Sequence, residues 1–357
     1  MSDSPQAPFP WFGGKSKVAP VVWERFGEVT NYVEPYFGSG AVLLGRPLPF
    51  HGSETVNDAD GFVANFWRAL QHEPEQVARY ADYPVNECDQ HARHAWLVAR
   101  RTDLTRRLEG DPDYYDAKIA GWWVWGICCW IGAGWCSGNG PWGVVDGQLV
   151  HLGDAGQGVH RKLVHLGDAG QGVHRPLGHL GRAGQGVHRK LVHLGDAGRG
   201  APGRESTASE SGLYAWMEAL AERLRYVRVC CGDWSRVCGP TPTVKQGLTA
   251  VFLDPPYATA ERTADLYAVD TEVSAATRAW ATERGNDKRL RIALCGYEGE
   301  HAMPDGWTAY RWKAKGGYGS QGNGLGRENA RREVVWFSPH CLQPGARQTT
   351  LWEPANA

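Results

Sequence analysis

Residues 251–257 read Val-Phe-Leu-Asp-Pro-Pro-Tyr, three apolar side chains followed directly by an acid and two prolines. Each proline fixes its own φ and lacks an N–H, and the residue before each is pushed towards extended conformations. The stretch cannot continue as a helix. It reads as a short buried strand that stops abruptly, with Asp254 and Tyr257 projecting from its carboxyl end. In open α/β sheets, ligands bind at that edge.

The tetrapeptide Asp254-Pro255-Pro256-Tyr257 suits a specific chemistry. An exocyclic amino group on a base is a poor nucleophile because its lone pair is delocalised into the ring. A carboxylate (Asp254) and a rigidly aimed carbonyl (Pro255) can accept its two N–H bonds and favour a more tetrahedral, more nucleophilic nitrogen. The ring of Tyr257 can stack on the base and hold it. The same four residues can also be a strand-ending turn with a solvated aspartate, so the rest of the chain decides.

Upstream, Phe-Pro-Trp-Phe-Gly-Gly-Lys-Ser-Lys (9–17, including Trp11, Gly13, Gly14 and Lys15) reads as an aromatic turn opening an amphipathic helix through about Phe26. A glycine turn at a helix start brings backbone N–H groups and a lysine against an anionic group. Residues 29–44 read as strand, glycine-rich turn and helix, with Glu34 at the strand end and Phe37-Gly38-Ser39-Gly40 in the turn. Leu43 stands where a dinucleotide fingerprint would have its third glycine. The next strand, Thr55–Asp58, ends in an acid about 20 residues after the glycine turn, a position suited to ribose hydroxyls. A helix is expected from Gly61 to about Gln71.

Downstream, Leu213–Leu224 reads as a helix after a polar linker at Gly203–Ser211, and 226–234 as a strand ending in Gly-Asp233-Trp234. That ending can bind and stack an adenine ring, or cap a strand beside a core tryptophan. After 251–257 come a helix (about Val273–Arg284), strands at Leu290–Cys295 and Thr308–Trp312, a glycine-rich loop (315–324) and a last strand, Glu333–Phe337. Strands alternating with helices predict a mostly parallel sheet, mixed at its closing pair.

Lysine and arginine total 38 against 39 acids, so any basic surface is local. Nine cysteines without a paired C-x-x-C argue for reduced thiols and against a zinc site. The first residues have neither a basic nor an apolar leader region, so no signal peptide is expected. The charge-free run from Ile119 to Val145 falls short of a membrane span, which needs ~20 predominantly apolar residues. Its glycines favour a buried, Trp-rich helix within a mostly helical stretch, 73–131, with amphipathic spacing through Gln90–Leu108. From 151 to 200 the chain repeats a 14-residue unit beginning at His151, His165, His179 and His193. The copies read as a flexible glycine-rich arm or a small coil of turns, either a DNA-contacting segment or a passive expansion. Their histidines follow from copying, so no metal site is expected.

Together these segments resemble the Dam-like (alpha-group, Asp-Pro-Pro-Tyr) DNA adenine-N6 methyltransferases, in a form of phage or actinobacterial type. The match covers residues 9–71 and 213–340: PFPWFGGK, VEPYFGSGAVLL, Asp58, CGDW, DPPY and the late strands from Arg291 and Arg327, in the family's order. The resemblance implies an α/β fold: a Rossmann-like S-adenosylmethionine-dependent methyltransferase sheet with an inserted target-recognition region. Residues 1–72 would hold the cofactor motifs, 73–210 the helical insertion with its repeats, 211–340 the catalytic part, and 341–357 a tail. Trp11, Gly13, Gly14 and Lys15 would hold the methionine end of S-adenosylmethionine. Glu34, Phe37, Gly38, Ser39 and Gly40 would line its turn, Asp58 would bind the ribose, and Asp233 and Trp234 the adenine. Asp254, Pro255, Pro256 and Tyr257 would engage the flipped target base, Asp254 also touching the cofactor.

The implied partner is double-stranded DNA, with a cognate restriction endonuclease or none (an orphan enzyme), in the cytoplasm of a bacterium or phage-infected host. The family's Asn-Gly-x-x-Arg pattern is missing, with no arginine between 119 and 150, so its target sequence does not carry over. Competing readings are an RNA or other amino-methyltransferase, a silent DNA-binding relative, and a nicotinamide-dependent oxidoreductase.

Overall fold

The computed structural model describes residues 6–11, 14–130, 135–136, 142–145, 148–151, 206–257, 264–313 and 332–345. Gly13, the repeats beyond His151, the glycine-rich loop at 315–324 and residues 346–357 of the tail lie outside them. A single 3₁₀ turn (Lys15–Lys17) leads into α1 (Ala19–Phe26), β1 (Asn31–Glu34), α2 (Ala41–Leu44), β2 (Ser53–Asp58) and α3 (Gly61–His72). The helical stretch then holds α4 (Pro74–Ala81), α5 (Glu87–Val98), α6 (Arg101–Gly110) and α7 (Ala117–Cys129), followed by β3 (Trp142–Val145) and β4 (Gln148–His151). The remainder comprises α8 (Ser206–Leu224), β5 (Val227–Cys231), β6 (Thr249–Leu253), α9 (Ala264–Arg284), β7 (Leu290–Tyr297), β8 (Thr308–Arg311) and β9 (Glu333–Phe337).

Seven strands form one sheet in the order β5-β2-β1-β6-β7-β9-β8, and β3 with β4 makes a separate antiparallel pair. All neighbours in the large sheet are parallel except β9, which runs against both β7 and β8. The chain steps outward from β1 through β2 to β5, then crosses to the other side of β1 with β6. That reversal makes the carboxyl ends of β1 and β6 the switch point of a mostly parallel sheet, an arrangement compatible with a Rossmann-like fold.

The apolar run before Asp254 is explained by burial on both faces. Ala250 and Phe252 join one core with Tyr32, Ala293 and Cys295, while Val251 and Leu253 join another with Val33, Ile292 and Leu294. Central parallel strands are covered on both sides, so they read as continuous apolar sequence. The first core lies under α1 and α3–α8, and the second under α9, which supplies Ala281. Helix starts are marked locally: the carboxylates of Asp60 and Asp116 accept from the backbone N–H of Phe62 and Ile119, capping α3 and α7.

Several boundaries differ from expectation. The spacing across Gln90–Leu108 is split between α5 and α6, because Ala99 and Arg100 interrupt the helix. α8 begins at Ser206, inside the stretch expected to be a linker, and α9 begins at Ala264, well before Val273. The polar first turns of α8, Ser-Thr-Ala-Ser-Glu-Ser, carry no apolar stripe, so periodicity misses them. α7 is the expected Trp-rich buried helix; Trp123 meets Phe9 edge-on at 4.9 Å. It has 13 residues, and among the described residues no helix is long and apolar enough to cross a membrane.

Candidate functional site

At the switch point, β6 ends and Asp254 leaves the sheet beside Glu34, the last residue of β1. Lys15, from the first turn of the chain, reaches into the same place and is 4% exposed. Its ammonium lies 3.0 Å from Oδ2 of Asp254, 3.6 Å from Oε2 of Glu333, and donates to the Tyr257 hydroxyl at 3.0 Å. The Tyr257 hydroxyl in turn stands 2.9 Å from Oδ1 of Asp254 and 2.9 Å from Oε2 of Glu333. The Tyr257 ring meets Tyr297 edge-on at 4.6 Å.

The electrostatics follow from two carboxylates, Asp254 and Glu333, around one buried cation, with Glu34 close to Asp254. Burial opposes the charge on Lys15, but Asp254 and Glu333 outweigh it and hold the ammonium above the ordinary lysine range. Glu333 shares that cation, yet burial and the charge of Asp254 still keep its carboxyl above the usual range. Burial also pushes Glu34 well up, against the hydroxyl of Tyr32, which donates to its Oε2 at 2.7 Å. Burial raises the Tyr257 phenol too, so it stays protonated and able to donate.

A second cluster lies at the ends of β1, β2 and β5. Gly38 has φ +48°, and its N–H donates to Oδ2 of Asp58 at 2.9 Å. A Cβ on Gly38 would stand 2.4 Å from Nε1 of Trp11, so only glycine lets the turn pass under that ring. Gly40, at φ +70°, closes the turn and begins α2. The N–H of Asp60 donates to Oδ1 of Asp58, and burial raises the Asp58 carboxyl to about 7. Asn57 ties the three strand ends together, its Nδ2 donating to the carbonyls of Pro35 and Gly232.

The site residues named from sequence thus fall into two adjoining groups. Lys15, Glu34, Asp254 and Tyr257 converge at one, and Trp11, Gly38, Gly40 and Asp58 at the other. Lys15 is drawn to the Asp-Pro-Pro-Tyr carboxylate and not only to the glycine turn. Ser39 is buried, and the Phe37 ring lies in the core against Trp67 at 4.9 Å, leaving its backbone to the turn. Asp233 caps a short 3₁₀ turn, accepting from the Ser235 N–H, and Trp234 stacks on Tyr36. Both stand beside Asp58, since the N–H of Gly232 donates to its carbonyl.

Sequence reasoning assigned no role to Glu333 or Tyr297. A signal for Glu333 was present: it is the single charged residue of an otherwise apolar strand, Glu-Val-Val-Trp-Phe, and is fully covered. Comparison with protein-family models finds no match, and comparison with curated proteins finds none.

Proposed function

We propose that the chain is a site-specific DNA adenine-N6 methyltransferase that uses S-adenosylmethionine. The observation carrying this reading is the meeting of Asp254 and Tyr257 with Lys15 and Glu34 at the switch point, next to the Gly38–Asp58 turn. The donor set fits the cofactor: an acid at the end of β2 for ribose hydroxyls, held beside the tight glycine turn at Gly38, and Asp233 with Trp234 at the adjoining strand end for an adenine ring. Lys15 and Gly14 would hold its methionine end. When bound, S-adenosylmethionine supplies a sulfonium methyl group, an electrophile that requires no enzyme nucleophile.

The protein's own work is orientation and electrostatic preorganisation. Asp254 and the Pro255 carbonyl accept the two N–H bonds of the amino group and aim its lone pair. Tyr257 offers a ring, anchored on Tyr297, against which the base stacks. An adenine inside a duplex is inaccessible, so the base must flip at a cost of a few kcal/mol. Stacking on an aromatic ring, worth ~1–3 kcal/mol, largely offsets that cost. The partner on this reading is duplex DNA, and the setting is the cytoplasm.

The test is methyl transfer from labelled S-adenosylmethionine to unmethylated duplex DNA, with Asp254→Ala alongside and nuclease digestion of the product. N6-methyladenine from the wild type alone supports class and mechanism. No transfer to DNA, with S-adenosylhomocysteine still bound, would replace this reading with an RNA substrate or a silent DNA-binding relative.

A further inference from the structure

Both oxygens of Asp254 are engaged by the protein's own donors, Oδ1 by the Tyr257 hydroxyl and Oδ2 by the Lys15 ammonium. An amino group presented to Asp254 shares an oxygen with one of those donors, each oxygen having two lone pairs, and competes with it for the carboxylate charge. Glu333 offers a second acceptor within reach of the same two donors, with its Oε2 at 2.9 Å from the hydroxyl and 3.6 Å from the ammonium. We propose that Glu333 is a positioning residue: it takes over the hydroxyl of Tyr257, and a share of the Lys15 charge, when an amino group claims Asp254. This rests on the amino-methyltransferase reading above.

The geometry is that of a two-position switch. A tyrosine hydroxyl has one hydrogen to donate. Lys15 donates to the hydroxyl oxygen at 3.0 Å, so the O–H points at one of the two carboxylates, which lie at equal distances. Passing from one to the other requires rotation about the C–O bond alone. The ring stays against Tyr297 and remains available for stacking.

Glu333 itself is held in place. It is 3% exposed, it pairs with Tyr297 across the β7–β9 ladder, and its carbonyl accepts the N–H of Trp312. Lys15 already has Asp254 as counterion, and the second buried carboxylate is tolerated because it shares that cation and accepts from Tyr257. Burial and the charge of Asp254 keep the Glu333 carboxyl high, which makes it a weaker competitor for Lys15 until Asp254 is occupied.

The experiment is a double-mutant cycle on turnover between Glu333→Gln and Tyr257→Phe, with S-adenosylhomocysteine binding measured on every variant. Glutamine keeps the shape and offers a neutral acceptor, roughly half as strong as a charged one, so the hydroxyl stays on Asp254. The expected result is a loss in turnover of about tenfold for Glu333→Gln, with cofactor-product affinity within about threefold of wild type. Tyr257→Phe keeps the ring and removes the hydroxyl that must be moved. In that background Glu333→Gln should cost less than about twofold. The same loss in both backgrounds, or no loss from Glu333→Gln alone, overturns the proposal. Should Glu333→Gln fail to fold, Glu333→Asp, one methylene short, replaces it in the same cycle with the same criteria. A wild type inert on DNA and RNA overturns the parent reading and this one together, whereas an active wild type with an unaffected Glu333→Gln overturns this one alone.

Discussion

The ammonium of Lys15 lies 3.0 Å from Oδ2 of Asp254, joining the first turn of the chain to the end of its central strand. The pair is shielded, with Lys15 side-chain exposure 5% and Asp254 19%. It brings the amino-terminal turn onto the sheet and fixes the carboxylate that the proposed chemistry needs. Its consequences, and those of three other contacts, can be measured.

Lys15→Met leaves Asp254 and Glu333 facing each other without a cation. Removing one partner of a buried pair typically costs about 3–5 kcal/mol. Urea unfolding is expected to show a loss near the lower figure, since Asp254 is partly open to solvent. The deficit should shrink as pH falls, because Glu333, already raised, takes up a proton more readily without Lys15. In the wild type the Lys15 contribution is present at neutral pH and is lost only as pH rises through its elevated value.

Asp58 is a carboxyl raised to about 7 by burial, with the N–H groups of Gly38 and Asp60 opposing the effect. Its contribution to stability is present below the ordinary aspartate range and is lost as pH rises through about 7. Asp58→Asn should therefore gain stability relative to wild type between pH 5 and pH 8, read as melting temperature. If Asp58 accepts ribose hydroxyls, S-adenosylhomocysteine affinity rises with pH across the same window in the wild type and is flat in the variant. Quenching of tryptophan fluorescence reports both.

Gly38→Ala combines a strained φ with a Cβ at 2.4 Å from Trp11 Nε1. A non-glycine residue in such a conformation costs of order 1–3 kcal/mol. Displacement of Trp11 should appear as a shift in tryptophan emission, together with weaker S-adenosylhomocysteine binding. An unchanged spectrum and affinity would separate this turn from the candidate site.

Glu54 on β2 holds two arginines: Arg46 at 3.0 Å, and Arg223 of α8 through two bonds of 2.7 and 2.9 Å. All three side chains are nearly fully buried. Glu54→Ala leaves two covered guanidinium groups beside Phe50 without a counterion. The expected destabilisation is about 3–5 kcal/mol, with α8 loosened from the sheet and its amides exchanging faster. A loss below about 1 kcal/mol would mean that solvent screens the pair.

The central strands, the helix after Asp60 and the last strand were legible because each is a local pattern. Val251–Leu253 has three apolar residues and a proline stop; Glu333–Phe337 has five residues with one charge. The amino-terminal turn of α8, Ser-Thr-Ala-Ser-Glu-Ser, was not legible, since a polar stretch leaves no apolar period to find. The hairpin of β3 and β4 carried a local signal that went unread, Asp146-Gly147 as the two residues between its strands. Within the candidate site, Asp254, Tyr257, Gly38 and Asp58 announced themselves as strand-end residues. Glu333 did not, because its significance lies in which strand stands next to β7.

The sequence by itself determined where strands must stop and which turns need glycine, because proline geometry and positive φ are properties of single residues. It also pointed to a buried strand at 251–253, since three consecutive apolar residues leave no polar face, while the covering of both faces was seen only in the fold. Only the tertiary structure decided that β9 slots between β7 and β8, and so brings Glu333 to Lys15 and Tyr257. Contacts between residues far apart in the chain depend on strand order and register, which no local pattern encodes. The charge on Lys15 was settled the same way, by two carboxylates, Asp254 at the end of β6 and Glu333 on β9.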